Sequence, residues 1–292
     1  MADAGGGARR RRAGSRGGII RDGSRGASSI AGRIHPSAVI DQRAELDSSV
    51  EVGPGAVIGP EVKIGAGTVI GASVVIESLT TIGQRNRIFP FAAVGCATPD
   101  LKFHGEPATL EIGDDNTIRE FTSIHRGTEA GGMRTLIGNH VLVMPYVHIA
   151  HDCVIGDNCI LVNSTQLGGH CVLEEFVSLE GMSGVHQFCR IGAHAFVAAG
   201  AKVAQDVPPY AMVAGDRARL AGINEIGLQR RGFSAEKITA IKAATRTLFF
   251  SKLLREDAIA KTLKDYGDHA EVRRLVDFIV NSKRGVVGRE RE

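Results

Sequence analysis

Tryptophan is absent, and aromatic residues make up only 5% of the 292-residue chain. That scarcity argues against a thick layered core built on large rings. No run of about 18 apolar residues occurs, so the sequence offers no membrane-spanning helix. The glycine-rich phosphate loop and the strand–turn–helix serine motif of hydrolases are both missing. Glycine, by contrast, is abundant at 37 residues, and 43% of the chain is apolar. A chain with ample core material and many glycines suits a fold of short elements and tight turns.

The formal net charge of +3 misleads, because it is unevenly spread. Residues 1–33 carry Arg9, Arg10, Arg11, Arg12, Arg16, Arg21, Arg25 and Arg33 against Asp3 and Asp22. The remainder holds 27 basic and 30 acidic side chains, so the body is mildly acidic. This Arg/Gly-rich tail cannot bury enough surface to offset its ordering entropy, and it is expected to be disordered. It lacks the apolar stretch of a secretory signal. The expectation is a dispensable extension, with a targeting or polyanion-binding arm as the alternative.

A period of six organises the chain from Ile34 onward. Ile34, Ile40, Leu46, Val52, Ile58, Ile64, Ile70, Ile76, Ile82, Ile88 and Val94 are spaced by six without a miss. Ile112, Ile118 and Ile124 resume the series. It then runs from Ile137 through Val143, Ile149, Ile155, Leu161, Leu167, Leu173, Leu179, Val185, Ile191 and Val197 to Val203. Six is neither the period of a helix nor that of a strand. It fits a two-residue strand plus a turn, with one aliphatic side chain per unit pointing inward. The position two before each aliphatic is usually small or β-branched, as at Ala56, Val62, Thr68 and Val74. Glycine often follows the aliphatic, at Gly53, Gly59, Gly65 and Gly71, where it is expected to supply a turn conformation.

Cys153, Cys159, Cys171 and Cys189 all fall two before a repeat aliphatic, and they read as small buried hydrophobes and not as metal or disulfide partners. Reduced cysteines fit a cytoplasmic protein. The repeat stops at Pro208–Pro209. From Ser234, a good N-cap with Glu236 in the first turn, the pattern turns helical. Ile238, Ile241, Ala244, Leu248 and Leu253 form one apolar stripe. Further amphipathic stretches cover about 255–266 and 269–282. The expected domains are therefore 1–33 (tail), 34–207 (repeat) and 208–292 (connector and helices).

The register singles out one group of polar residues. Three hexads make a coil of eighteen residues, so His151, Gly169 and Gln187 share a column, with His170 and His186 as neighbours. Successive coils bring them within about 5 and 10 Å of each other. His125 and His148 lie nearby in the pattern. A histidine beside an acid, here Asp152, is the minimum for general-base chemistry. Consecutive side chains on an extended chain point apart, so the pairing itself is not given by the sequence. Zinc chemistry through the histidines and a purely structural prism remain as alternatives.

The hexads resemble the hexapeptide-repeat acyltransferases, which implies an all-β left-handed parallel β-helix followed by a small α-helical C-terminal domain. "DLKFHGEP" (100–107), "SIHRGT" (123–128), "HIAHDCVIG" (148–156), "GVHQFCRIGAH" (184–194), "VAQDVPPY" (203–210) and "GLQRRGF" (227–233) sharpen this. Together they are similar to the UDP-N-acetylglucosamine O-acyltransferase family of lipid A synthesis, over about residues 34–292. The related N-acyltransferase of the same pathway is the nearest alternative, and a trimeric zinc hydratase is more distant.

The resemblance implies transfer of an (R)-3-hydroxyacyl group from acyl carrier protein to the glucosamine 3-hydroxyl, without cofactor or metal, in a homotrimer that binds no nucleic acid. His151 would be the general base, Asp152 and His170 its orienting partners, and Gly169 N–H the oxyanion donor. Asp100, Lys102, His125, His148, His186 and Gln187 would line the sugar site. Asn224, Arg230 and Arg231 would meet the nucleotide diphosphate or the carrier protein. Phe196 and Ala199 would limit the acyl chain. The sequence departs from the family at Pro99, where many members have Gln, at Arg217, where some have His, and in the spacing after Asn224, which leaves open whether Glu225 contacts the nucleotide.

Overall fold

The structure, a computed structural model, describes residues 33–288. The tail expected over 1–33 lies outside the described residues, apart from Arg33. From Ile34 to Ala214 the chain winds as a left-handed parallel β-helix whose strands are mostly two residues long. One face holds nine parallel strands, from Val39–Ile40 to Lys202–Val203. The second holds eight, from Glu45–Leu46 to Arg190–Ile191. The third begins at Glu51–Val52, continues in parallel to Ala211–Ala214 and closes on the antiparallel strand Arg219–Ile223. Strands pair with the residue eighteen positions on, as in Val57 with Val75 and His148 with Gln166. Each hexad aliphatic therefore lies on its predecessor, and Ile58, Ile76, Ile124, Ile149 and Leu167 are buried in one continuous core. The four repeat cysteines are fully buried among them, as expected.

The corners need a backbone that the sequence does not advertise. From Val52 to Val197, at corners without an excursion, the residue three after the aliphatic is left-handed whatever its type. Examples are Arg85 (φ 55°), Phe121 (59°), Asp152 (60°), His170 (60°) and His194 (59°). For a residue with a Cβ this conformation costs about 1–2 kcal/mol. Stacking along the corner columns offsets part of that, at about 0.5–1.5 kcal/mol per aromatic pair. Phe91, Phe121 and Tyr146 stack at centroid distances of 5.3 and 5.0 Å. His170 lies on Phe188 at 4.3 Å.

The glycines after the aliphatics have a different role from the one expected. None of Gly53, Gly59, Gly65 and Gly71 has a positive φ. They are glycines because the next coil passes too close. A Cβ on Gly59 would lie 1.6 Å from the Glu77 carbonyl oxygen, and one on Gly71 2.8 Å from Pro90 N.

Two inward positions hold an amide where their neighbours are small or β-branched. Asn86 and Asn116 are buried, and their amides form a ladder through three coils. Asn86 Oδ1 accepts from Asn116 N at 2.9 Å, and Asn116 Oδ1 from Val141 N at 2.7 Å. Their Nδ2 groups donate to the Gly113 and Gly138 carbonyls, each at 2.9 Å.

Two excursions interrupt the coils. Ala93 pairs with Ser123, thirty residues on instead of eighteen, and Ser123 with His148, twenty-five on. The first excursion runs between the strands Ala93–Cys96 and Thr109–Ile112, and the second between Ser123–His125 and Arg134–Ile137. Both leave the prism at the corner joining the first face to the second.

Four helices complete the chain: α1 (Glu225–Arg230), α2 (Ala235–Phe250), α3 (Arg255–Tyr266) and α4 (Ala270–Val280). Ser234 caps α2, its Oγ accepting from Lys237 N. Leu253 falls beyond α2 and is exposed, so the stripe ends earlier than expected. Ile238, Ile241, Val272, Leu275 and Ile279 form a second core with Tyr210. Arg274 on α4 fastens the helices to the prism, donating to Glu174 at 2.8 Å and to Glu175 at 2.9 Å.

Gly59→Ala should lower stability by about 1–3 kcal/mol, because the neighbouring coil must move to admit the methyl. Gly55→Asn, at a left-handed corner with no close neighbour beyond Ser73 Oγ at 3.4 Å, should change it by far less. Denaturant midpoints of the two variants check this.

Candidate active site

At the corner between the first and second faces, successive coils present the 97–108 excursion, the 126–133 excursion, His151–Asp152, Gly169–His170 and Gln187–Phe188. The register thus converts segments far apart in sequence into a column with a step of about 4.8 Å.

Asp152 occupies the left-handed corner position, and that turn swings its carboxylate back towards the preceding residue. His151 Nδ1 lies 2.7 Å from Asp152 Oδ2. The pairing that an extended chain would forbid is made by the corner. The Asp152 side chain is only 1% exposed. Its oxygens accept from Thr128 N at 2.8 Å and Thr128 Oγ1 at 2.6 Å. An acceptor-only carboxylate so placed fixes the imidazole with its proton on Nδ1 and the lone pair on Nε2. The Nε2 edge faces Asp100 Oδ2 at 3.7 Å, beyond hydrogen-bond range.

Gly169 sits under that imidazole. A Cβ there would come within 2.6 Å of His151 Nε2, so any side chain would displace the reactive edge. Its neighbour Gly168 donates to the Val185 carbonyl at 2.9 Å, whereas Gly169 N donates to no backbone carbonyl among the described residues. His170 Nδ1 is 3.7 Å from Asp152 Oδ2, and its ring stands edge-on to His151 at 5.0 Å. His151, Asp152 and His170 offer ligand atoms within 4.8 Å of one another. Of the three, His151 and Asp152 are hydrogen-bonded to each other, and His170 Nδ1 stays beyond hydrogen-bond range of the carboxylate.

The surrounding histidines are held neutral. Burial first, then His148 and His151, push His125 down to about 4. Burial also lowers His148, whose Nδ1 meets Ser123 Oγ at 2.8 Å, and it lowers His170 against the opposing pull of Asp152. His125 and His148 pack edge-on at 4.8 Å. His148 and His186 line an open groove of about 740 Å³ along the first face, together with Gly168, Lys202, Arg217 and Arg284. Gln187 is exposed one coil beyond Gly169. Lys102 is exposed on the first excursion, where Asp100 Oδ1 holds its backbone N at 3.0 Å.

The remaining expected residues are elsewhere on the chain. Asn224 caps α1, its Oδ1 accepting from Gly227 N at 3.1 Å and its Nδ2 donating to the His194 carbonyl at 3.0 Å. Arg230 is exposed at the end of that helix. Arg231 is half-buried, 5.3 Å above the Phe176 ring and 3.4 Å from His194 Nδ1. This cluster belongs to the corner between the second and third faces. Phe196 lies on the third face, and Ala199 is exposed at the corner after it, across the first face from His151. Glu225, whose contact with the nucleotide the sequence leaves open, pairs with Lys242 at 2.9 Å.

Two further groups lie in "SIHRGT" without a role read from the sequence. Thr128, in the second excursion, gives no sign there of meeting Asp152. Arg126 is buried and staples the two excursions together, donating to the Gly95 and Ala108 carbonyls at 2.9 and 3.3 Å.

Comparison with known proteins gives the same outline. Residues 206–287 match a family described as "Udp N-acetylglucosamine O-acyltransferase; Domain 2", and residues 43–78 and 134–169 match "Bacterial transferase hexapeptide (six repeats)". The chain is 51% identical, over 87% of its length and 98% of the relative's, to the acyl-[acyl-carrier-protein]–UDP-N-acetylglucosamine O-acyltransferase of Herminiimonas arsenicoxydans. It is 52% identical, with the same coverage, to that of Janthinobacterium sp. (strain Marseille). The crystal structure of the UDP-N-acetylglucosamine O-acyltransferase from Moraxella catarrhalis RH4 superposes with a TM-score of 0.85 at 42% identity, covering 87% of this chain and 99% of that one.

The depressed histidines make stability depend on pH. An unfolded histidine takes up its proton near about 6.5. His125 and His194, the latter also pushed down to about 4 by burial, do so in the folded chain only near 4. The unfolded state therefore binds more protons between those values, and stability falls as pH drops through that window. Melting temperatures between pH 7.5 and 4.5 should show this fall. His194→Phe, whose ring can keep the stack between Phe176 and Tyr210, should make it shallower.

Proposed function

Because the chain belongs to the UDP-N-acetylglucosamine O-acyltransferase family, we propose that it transfers an (R)-3-hydroxyacyl group from acyl carrier protein to the 3-hydroxyl of UDP-N-acetylglucosamine, the first step of lipid A synthesis. The observation that carries this reading is His151, with Nδ1 on a buried carboxylate and Nε2 facing Asp100 Oδ2 at 3.7 Å. His151 Nε2 takes the proton of the sugar 3-hydroxyl as its oxygen attacks the thioester carbon. Asp152 steadies the imidazolium that forms. The carbonyl oxygen, now an oxyanion, accepts from Gly169 N–H, a contribution of about 3–4 kcal/mol in other acyl transfers. Collapse breaks the C–S bond, and the leaving thiolate recovers the proton from Nε2.

Asp100, Lys102, His125, His148, His186 and Gln187 bind the sugar in this reading, and His170 supports the Asp152 side. His125 and His148, both lowered by burial, suit that task, since a neutral imidazole offers one donor and one acceptor without competing for the proton. Asn224, Arg230 and Arg231 belong to the nucleotide diphosphate or the carrier protein. They occupy another corner of the same prism, which supports a homotrimer in which a second copy brings that corner to the first face. The groove beside His148 and His186 lies on the face such packing would cover. Among the described residues no helix is long and apolar enough to cross a membrane, and the reading places the enzyme in the cytoplasm with its carrier protein. Phe196 and Ala199 define the far end of the acyl chain.

His151→Ala should lower kcat by about 10²–10⁴-fold, because a proton-transfer group is lost. Retention of more than about a tenth of the wild-type rate in a folded variant would overturn the assignment. Ala199→Gly should shift the preferred carrier-bound chain upward in length, at about 1–3 kcal/mol per methylene. The ranking of kcat/KM across chains of increasing length reads this directly.

A further inference from the structure

The second excursion contains a short 3-10 turn, Glu129–Gly131, with Thr128 at its N-cap. A threonine there ordinarily turns its hydroxyl back on the helix to accept from the first free N–H groups. Thr128 makes no such bond. Its hydroxyl donates instead to Asp152 Oδ2 at 2.6 Å, and its backbone N–H to Asp152 Oδ1 at 2.8 Å. Thr135, where the chain rejoins the prism, accepts from Asp152 N at 2.8 Å through Oγ1. Two residues later than Glu129, Gly131 is open to the same carboxylate. A Cβ on Gly131 would lie 1.8 Å from Asp152 Cγ. Thr128 and Asp152 are both buried. The excursion thus closes on one carboxylate at Thr128 and Gly131.

Resting on the reading of His151 as the base, we propose that Thr128 is a positioning residue for the reaction. It fixes the Asp152 carboxylate so that Oδ2 faces His151 Nδ1. Oδ2 is shared by the Thr128 hydroxyl and the imidazole, so the hydroxyl sets the angle at which the oxygen meets the ring. Thr128 touches neither the Nε2 edge nor the groove along the first face, and substrate affinity does not pass through it. The residue therefore acts on the rate of proton transfer and not on binding.

Steady-state kinetics of Thr128→Val, Thr128→Ser and Gly131→Ala, with His151→Ala alongside, test this on the full chain. Thr128→Val keeps the shape and the backbone N–H but loses the hydroxyl. It should lower kcat on the order of tenfold to a hundredfold, the range for one hydrogen bond to a charged group, with KM for UDP-N-acetylglucosamine unchanged. Thr128→Ser should restore most of the rate. A folded Thr128→Val with wild-type kcat, beside an inactive His151→Ala, overturns the proposal and leaves Thr128 as a loop anchor. Full activity in His151→Ala overturns the base assignment and this inference with it. Should Thr128→Val fail to fold, Gly131→Ala decides. Its methyl displaces the carboxylate from the other side and should lower kcat at constant KM, and a wild-type kcat there counts against the proposal.

Discussion

The parallel register between coils governs the rest of the molecule. Each strand pairs with the one eighteen residues on, so like positions fall in columns with a step of about 4.8 Å. The inner columns are aliphatic and form the core. The corner columns carry whatever side chains the three edges are given. At one edge these are stacked phenylalanines and a tyrosine; at another they are an aspartate, a histidine and a phenylalanine. Chemistry is built here by stacking, and a rigid ladder of backbone hydrogen bonds sets the spacing.

Within that frame the electrostatics divide sharply. One carboxylate, Asp152, is buried and receives donors from a hydroxyl, a backbone amide and an imidazole. Around it, His125, His148 and His170 are held towards the neutral form by burial. The polar contacts of that carboxylate are thus local and directional, and the neighbouring rings add polarity without adding positive charge.

The hexads were legible because each unit repeats a large aliphatic that has no other reason to recur. Counting by eighteen also brought His151, Gly169 and Gln187 into one column before any coordinates. The pairing of His151 with Asp152 was not legible, since nothing in an aspartate marks a left-handed φ, and an extended chain would have parted the two side chains. The glycines after the aliphatics were visible, but their reason was not, because close approach of the next coil is a property of two chain segments at once. Asn224 followed by Glu225 is an ordinary helix N-cap signal, and Asn224 caps α1. Thr128 and Arg126 lie in an excursion that breaks the period, where counting no longer predicts a neighbour.

The asparagine ladder at Asn86 and Asn116 bears on how the chain finds its own alignment. A core with one aliphatic every six residues is nearly the same from coil to coil. A chain threaded one full turn out of step would therefore surrender little apolar burial. The two amides are not interchangeable with the valines, threonines and cysteines on either side of them. Out of step, each would be enclosed with its donors and acceptors unmatched, at about 1–3 kcal/mol per group. The pair serves as an index mark, much as a single buried asparagine fixes the register of a coiled coil, and it gives a repetitive molecule one correct place to start counting.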